Sequence, residues 1–133
     1  AQGLGVGEQI HFIESYIPDE HVGDYFRAAD WCGLVYGESF TSQSGVLCSA
    51  VYFRTPVLVA TSPTLVETVE RYGVGVIAKD ASVNSLTNAM IVFDGEQDMT
   101  PFFDRFDEQS NWSKNAEITY AVYQEKLKNK VSR

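Results

Sequence analysis

Three short, uninterrupted apolar runs recur along the chain: WCGLVY (31–36), PVLVA (56–60) and GVIA (75–78). Between them lie segments with helical spacing. A strand without polar alternation is a strand covered on both faces, and strands of that kind alternating with helices specify a parallel sheet. The remaining segments fit the same scheme. QIHFI (9–13) reads as a further short strand, and Pro18-Asp19-Glu20 opens a helix to about Ala29. Val22, Tyr25, Phe26 and Ala29 fall at i, i+3, i+4 and i+7, one apolar face of that helix. SGVLCSAVYF (44–53) suits a buried helix rich in small residues. PTLVETVERY (63–72) is a helix ended by Gly73, and Asp80 and Ser82 cap another near 83–94. DGEQD (94–98) reads as a turn before a helical stretch from about Pro101 to Phe106. A final long helix begins near Asn111 or Ser113 and ends in lysines. The expected fold is α/β, a Rossmann-like parallel sheet with helices on both faces.

Composition narrows the function classes. The chain has 133 residues, one domain's worth, with 44% hydrophobic and 21% charged residues, a globular profile. The formal net charge of −8 argues against a nucleic-acid surface, which needs clustered Lys and Arg. No apolar run approaches the roughly 20 residues that span a bilayer. AQGLGVGEQ has no basic region and is not read as a signal peptide. Cys32 and Cys48, both within apolar segments, read as buried reduced thiols of a cytoplasmic protein. His11 and His21 lack a third ligand in suitable spacing, so no metal is expected. Trp31 and Trp112 read as packing residues.

The stretch GESFTSQSGVL (37–47) is the main candidate for chemistry. It follows an apolar strand and opens a helix, at the carboxyl edge of the expected sheet, where ligands of such folds bind. Thr41, Ser42, Gln43 and Ser44 offer hydroxyl and amide donors, and Gly45 lets backbone approach a ligand closely. Helix amides and the dipole behind them suit a phosphate. An elaborate helix N-cap accounts for the same residues equally well.

Over nearly its whole length the chain resembles the carboxyl-terminal half of family 4 (group 1) glycosyltransferases. The resemblance rests on YIPDEHVGDYFRAAD before an apolar strand, on RTPVLVAT, on LVETVERYGVGVIAKD and on the terminal NWSKNAEITYAVYQEKL, in that order. It implies a GT-B enzyme in polysaccharide biosynthesis, cytoplasmic or peripheral to a membrane as a full-length protein. The donor is then a UDP- or GDP-sugar held by this half, with no further cofactor. The acceptor is a glycan or lipid-linked sugar held by an amino-terminal domain absent from this sequence.

The departures are specific. The family's E-x7-E signature would place glutamates at Thr41 and Ser49, and neither is acidic. TSQSG instead resembles a variant branch in which a Thr-Gln-Ser-Gly run binds the diphosphate. In that reading Thr41, Ser42, Gln43, Ser44 and Gly45 contact phosphate, and Glu38 stands in for the sugar-binding carboxylate. The resemblance puts Glu67 near the donor ribose or sugar and Tyr16 near the base; a solvated helix face with ion pairs accounts for Glu67 equally well, and an ordinary core or surface aromatic for Tyr16. No catalytic residue is assigned. The chain starts after the family's phosphate-steadying basic residue, so it is expected to be an incomplete piece that does not turn over substrate alone. A nucleotide-sugar epimerase of the same two-domain plan fits the same residues. A non-enzymatic Rossmann-like module fits less well, because a receiver needs an acidic cluster and only Glu14 follows the first expected strand.

Overall fold

The computed structural model describes residues 5–93 and 97–131, with backbone alone for 129–131. Its core is a three-stranded parallel sheet in the order β1 (Cys32–Leu34), β2 (Val57–Val59), β3 (Gly75–Ile77). Register pairs Leu34 with Val59 and Val57 with Gly75. The intervening helices are α2 (Gly45–Tyr52) and α3 (Pro63–Tyr72), preceded by α1 (Asp19–Ala28). After β3 come α4 (Val83–Val92), α5 (Thr100–Ser110) and α6 (Trp112–Val131).

The handedness of parallel crossovers explains the layers. β1 to β2 to β3 steps across the sheet in one direction, so right-handed connections put α2 and α3 on the same face. Alternation along β2 then divides the core. Val57 and Val59 face Leu47, Ala50 and Val51 of α2 and Leu65, Val69 and Tyr72 of α3, with Phe103 of α5 completing that layer. Leu58 faces the other way, into a smaller cluster with Ala60 and Ala78, packed by Trp31 and by Leu86 and Ala89 of α4. Trp31 also meets Phe93 edge-on, ring centroids 4.2 Å apart.

Helix ends follow the chemistry read from the sequence. Pro63 opens α3, and Gly73 closes it in the left-handed conformation, φ 73°. Ser82 caps α4 by accepting the Ser85 N–H at 3.3 Å, while Asp80 Oδ1 accepts the Ser82 N–H at 2.8 Å. Arg105 Nη2 donates to Tyr72 O at 2.6 Å and Ser110 Oγ to the Tyr72 hydroxyl at 2.9 Å, fastening α5 to the end of α3. Asn111 caps α6, its Oδ1 accepting the Lys114 N–H at 2.7 Å.

Several expectations are corrected. Residues 10–13 form no strand and pair with none among the described residues; a 3-10 turn, Gly7–Gln9, precedes them, and Phe12 is 81% exposed. Of the described strands, only β2 is buried along its length: Gly33 of β1 and Ile77 of β3 are exposed, because each of those strands is an edge. The inward face of α1 is buried Gly23 with half-buried Val22 and Phe26, and Tyr25 and Ala29 are exposed. Cys48 is exposed and Cys32 half-buried. Trp112 packs against little, being 90% exposed. α5 extends four residues past the expected end at Phe106. The turn expected at 94–98 lies partly outside the described residues. Among those described, no helix is long and apolar enough to cross a membrane.

Candidate functional site

β1 ends at Leu34, and residues 35–44 form the loop that leads into α2. Strands and crossover helices run antiparallel to one another, so the amino ends of α2 and α3 both sit at the carboxyl edge of the sheet. The loop first doubles back at 37–40, where Phe40 N–H donates to Gly37 O at 3.0 Å. Phe40 then tucks against Tyr36, ring centroids 4.5 Å apart. Glu38 sits on the exposed tip of this turn.

Three hydroxyl donors from the start of α3 hold the loop down. Thr61 Oγ1 donates to Tyr36 O at 3.4 Å, Ser62 Oγ to Phe40 O at 2.8 Å, and Thr64 Oγ1 to Ser42 O at 3.0 Å. Loop carbonyls are therefore turned toward α3. Ser62 occupies the N-cap position of α3, yet its side chain makes no capping bond and serves the loop instead. The Ser62 side chain is fully buried. Ser62→Ala is therefore expected to cost about 1–2 kcal/mol by orphaning the Phe40 carbonyl. Chemical denaturation measures it, and faster amide exchange confined to 38–44 locates it.

Ser44 is buried and caps α2, its Oγ accepting the Leu47 N–H at 3.2 Å while its carbonyl accepts the Cys48 N–H at 3.1 Å. That leaves the Gly45 and Val46 amides at the helix start, which helix geometry provides with no intrahelical acceptor. Thr41, Ser42, Gln43 and Gly45 are all exposed beside them. A Cβ built on Gly45 meets nothing within 4 Å, and its φ is not in the left-handed region, so neither packing nor backbone conformation requires glycine there. No lysine or arginine lies between Arg27 and Arg54 in sequence. Within the loop itself an anion would meet amides, hydroxyls and the helix dipole.

The other candidates stand on other segments. Glu67 is exposed on α3, one turn beyond Thr64. Tyr16 precedes α1 and is 80% exposed, its hydroxyl donating to Asp19 Oδ1 at 3.0 Å. It borders a cleft of about 390 Å³ lined by Ile13, Ser15, Tyr16, Ile17, Pro18, His21, Asp24 and Tyr25. Neither residues 38–45 nor Glu67 line that cleft. His21 Nδ1 is 3.8 Å from Asp24 Oδ2, and the described residues hold no cluster of three or more metal-ligating side chains. Partial burial of the sulfur pushes both cysteine thiols up, although the Cys48 residue as a whole is exposed, so neither is a ready thiolate nucleophile at neutral pH.

Sequence reasoning found the loop but missed its fastening. Thr61, Ser62 and Thr64 act across 22 to 25 positions of chain. One signal was available: TSPT directly follows the PVLVA strand and TSQS follows WCGLVY after four residues, two hydroxyl-rich loops at the same sheet edge. Compared with known family models, with curated protein sequences and with solved structures, the chain matches none.

Proposed function

We propose that this chain is the nucleotide-sugar-binding part of a retaining glycosyltransferase, with the loop 41–45 and the first amides of α2 receiving the donor diphosphate. One observation carries the reading: the free amides of Gly45 and Val46 stand beside exposed Thr41, Ser42 and Gln43 on a loop pinned from below. Donors fixed in advance toward a point where negative charge develops are what a leaving diphosphate requires. The open space at Gly45 leaves room for an oxygen to approach the backbone. The wider assignment, to a GT-B enzyme that transfers a sugar to a glycan or lipid-linked acceptor, rests on the resemblance in the segments around this loop. Glu38 and Glu67 are then the carboxylates that meet sugar or ribose hydroxyls, and Tyr16 the ring nearest the base.

Titration of UDP and GDP against the wild type, Gly45→Val and Gln43→Ala tests the reading. Gly45→Val should weaken binding about tenfold or more by closing off the amides, since a Cβ keeps an anion from the backbone. Its melting temperature should barely move, because the added side chain enters open space. Gln43→Ala should cost roughly 1–3 kcal/mol of binding if the amide meets a charged oxygen. Equal affinities across all three proteins would reduce the stretch to the helix cap that Ser44 already forms.

A further inference from the structure

Two of the hydroxyls that hold the 35–44 loop also decide which way its amides point. In a trans peptide the carbonyl and the next residue's N–H lie in one plane and point in opposite directions. Ser62 Oγ holds the Phe40 carbonyl and Thr64 Oγ1 the Ser42 carbonyl, both from the start of α3. The Thr41 and Gln43 N–H groups share those two planes and are therefore turned away from α3. Neither N–H has an acceptor among the described residues, and Thr41, Ser42 and Gln43 are all exposed. Two backbone donors are thus aimed outward by side chains more than 20 positions further along the chain.

We propose that Thr64 is a positioning residue: by holding the Ser42 carbonyl it aims the Gln43 amide at the second phosphate of the ligand, and so makes the site select nucleoside diphosphates over monophosphates. The inference rests on the reading of residues 41–45 and the start of α2 as the diphosphate site. The donors there fall into two sets with different supports. The Gly45 and Val46 amides are oriented by α2 itself, whose first turn is fixed by the bond from Leu47 N–H to Ser44 Oγ. The Thr41 and Gln43 amides belong to the loop and owe their direction to α3. A single phosphate is served by the helix start. A second phosphate, one bridging oxygen further on, calls on the donors that α3 aims.

Thr64 separates this role from stability better than Ser62 does. Ser62 is fully buried, so removing its hydroxyl disturbs the fold and the loop together. Thr64 is half-buried and the carbonyl it holds belongs to exposed Ser42, where water takes the place of a missing hydroxyl. The other bond at Thr64 uses its backbone: Thr68 Oγ1 donates to Thr64 O at 2.8 Å, which a change of the Thr64 side chain leaves intact. The Ser62 and Thr64 hydroxyl oxygens stand 3.5 Å apart, each giving its proton to a loop carbonyl. Freed from Thr64, the 42–43 peptide can rotate, and its N–H must then be reordered each time a ligand binds.

Calorimetric titration of UDP and UMP against the whole chain tests the proposal. The wild type should bind UDP about tenfold or more tightly than UMP, the size of one hydrogen bond to a charged oxygen. Thr64→Val keeps the shape of the side chain without its hydroxyl; it should weaken UDP about tenfold and change UMP by less than about twofold. Thr64→Ala, which also lacks the hydroxyl and suits a helix, should repeat that result. Thr64→Ser keeps the hydroxyl and should hold UDP near the wild-type affinity. Melting of all three variants should stay close to the wild type. Full UDP affinity in Thr64→Val, equal losses of UDP and UMP, a Thr64→Ser protein no better than Thr64→Val, or a wild type without preference for UDP each overturns the inference and leaves the diphosphate site standing. A wild type that binds neither UDP nor GDP removes that site, and the inference with it.

Discussion

Gly75→Ala is expected to remove on the order of 3 kcal/mol of stability, the upper range for a residue forced into filled space. Gly75 pairs with Val57 in the parallel ladder, and a Cβ there would run into the Val57 carbonyl oxygen and stand 2.8 Å from Val57 Cγ2. A flexible side chain could swing aside, but this obstacle is backbone. β2 is buried along its whole length, so moving Val57 disturbs its own core layer and, through neighbouring Leu58, the other. Gly33→Ala is the matched control: it also lies in a strand, yet a Cβ there meets nothing within 4 Å. Urea denaturation should place Gly33→Ala within about 0.5 kcal/mol of the wild type, as for surface changes generally. A similar small loss for Gly75→Ala would contradict the described register.

The contrast between these glycines marks the boundary of what the sequence could disclose. Both stand in apolar runs, and nothing local distinguishes the one facing a carbonyl from the one facing open space. What was legible is what local chemistry dictates. Pro63 and Gly73 bracket α3 because one fits a helix start and the other supplies the left-handed residue that ends it. PVLVA announced a strand covered on both sides. QIHFI carries the same apolar and aromatic residues, but a strand also needs an edge to pair with, and residues 10–13 find none among the described residues. Trp112 misled for a related reason: aromatic content signals burial, and here the ring is left 90% exposed by the described residues. At the candidate site, Ser44 followed by a helix start was readable as a cap. The hydroxyl straps from Thr61, Ser62 and Thr64 were not, since they depend on two crossovers ending at the same sheet edge.

Leu47→Ala is expected to cost about 2–5 kcal/mol, the range for emptying a close-packed leucine site. Leu47 is 1% exposed, packed in the main core cluster beneath the first turn of α2. Its own N–H is the one that Ser44 Oγ accepts, so the residue anchors the helix start from both backbone and side chain. Shortening it leaves a void under the turn that presents the Gly45 and Val46 amides. Any ligand held by those amides should then weaken together with stability. Gly45→Val is expected to do the opposite, sparing the fold and obstructing the ligand, so the two variants separate scaffold from contact. Leu47→Met refills most of the volume and should hold its loss below about 1.5 kcal/mol. If it restores ligand affinity along with stability, Leu47 acts through packing alone. Melting and UDP or GDP titration of the three variants side by side provide the comparison. A Leu47→Ala protein as stable as the wild type would mean that the start of α2 is not held by the core as described.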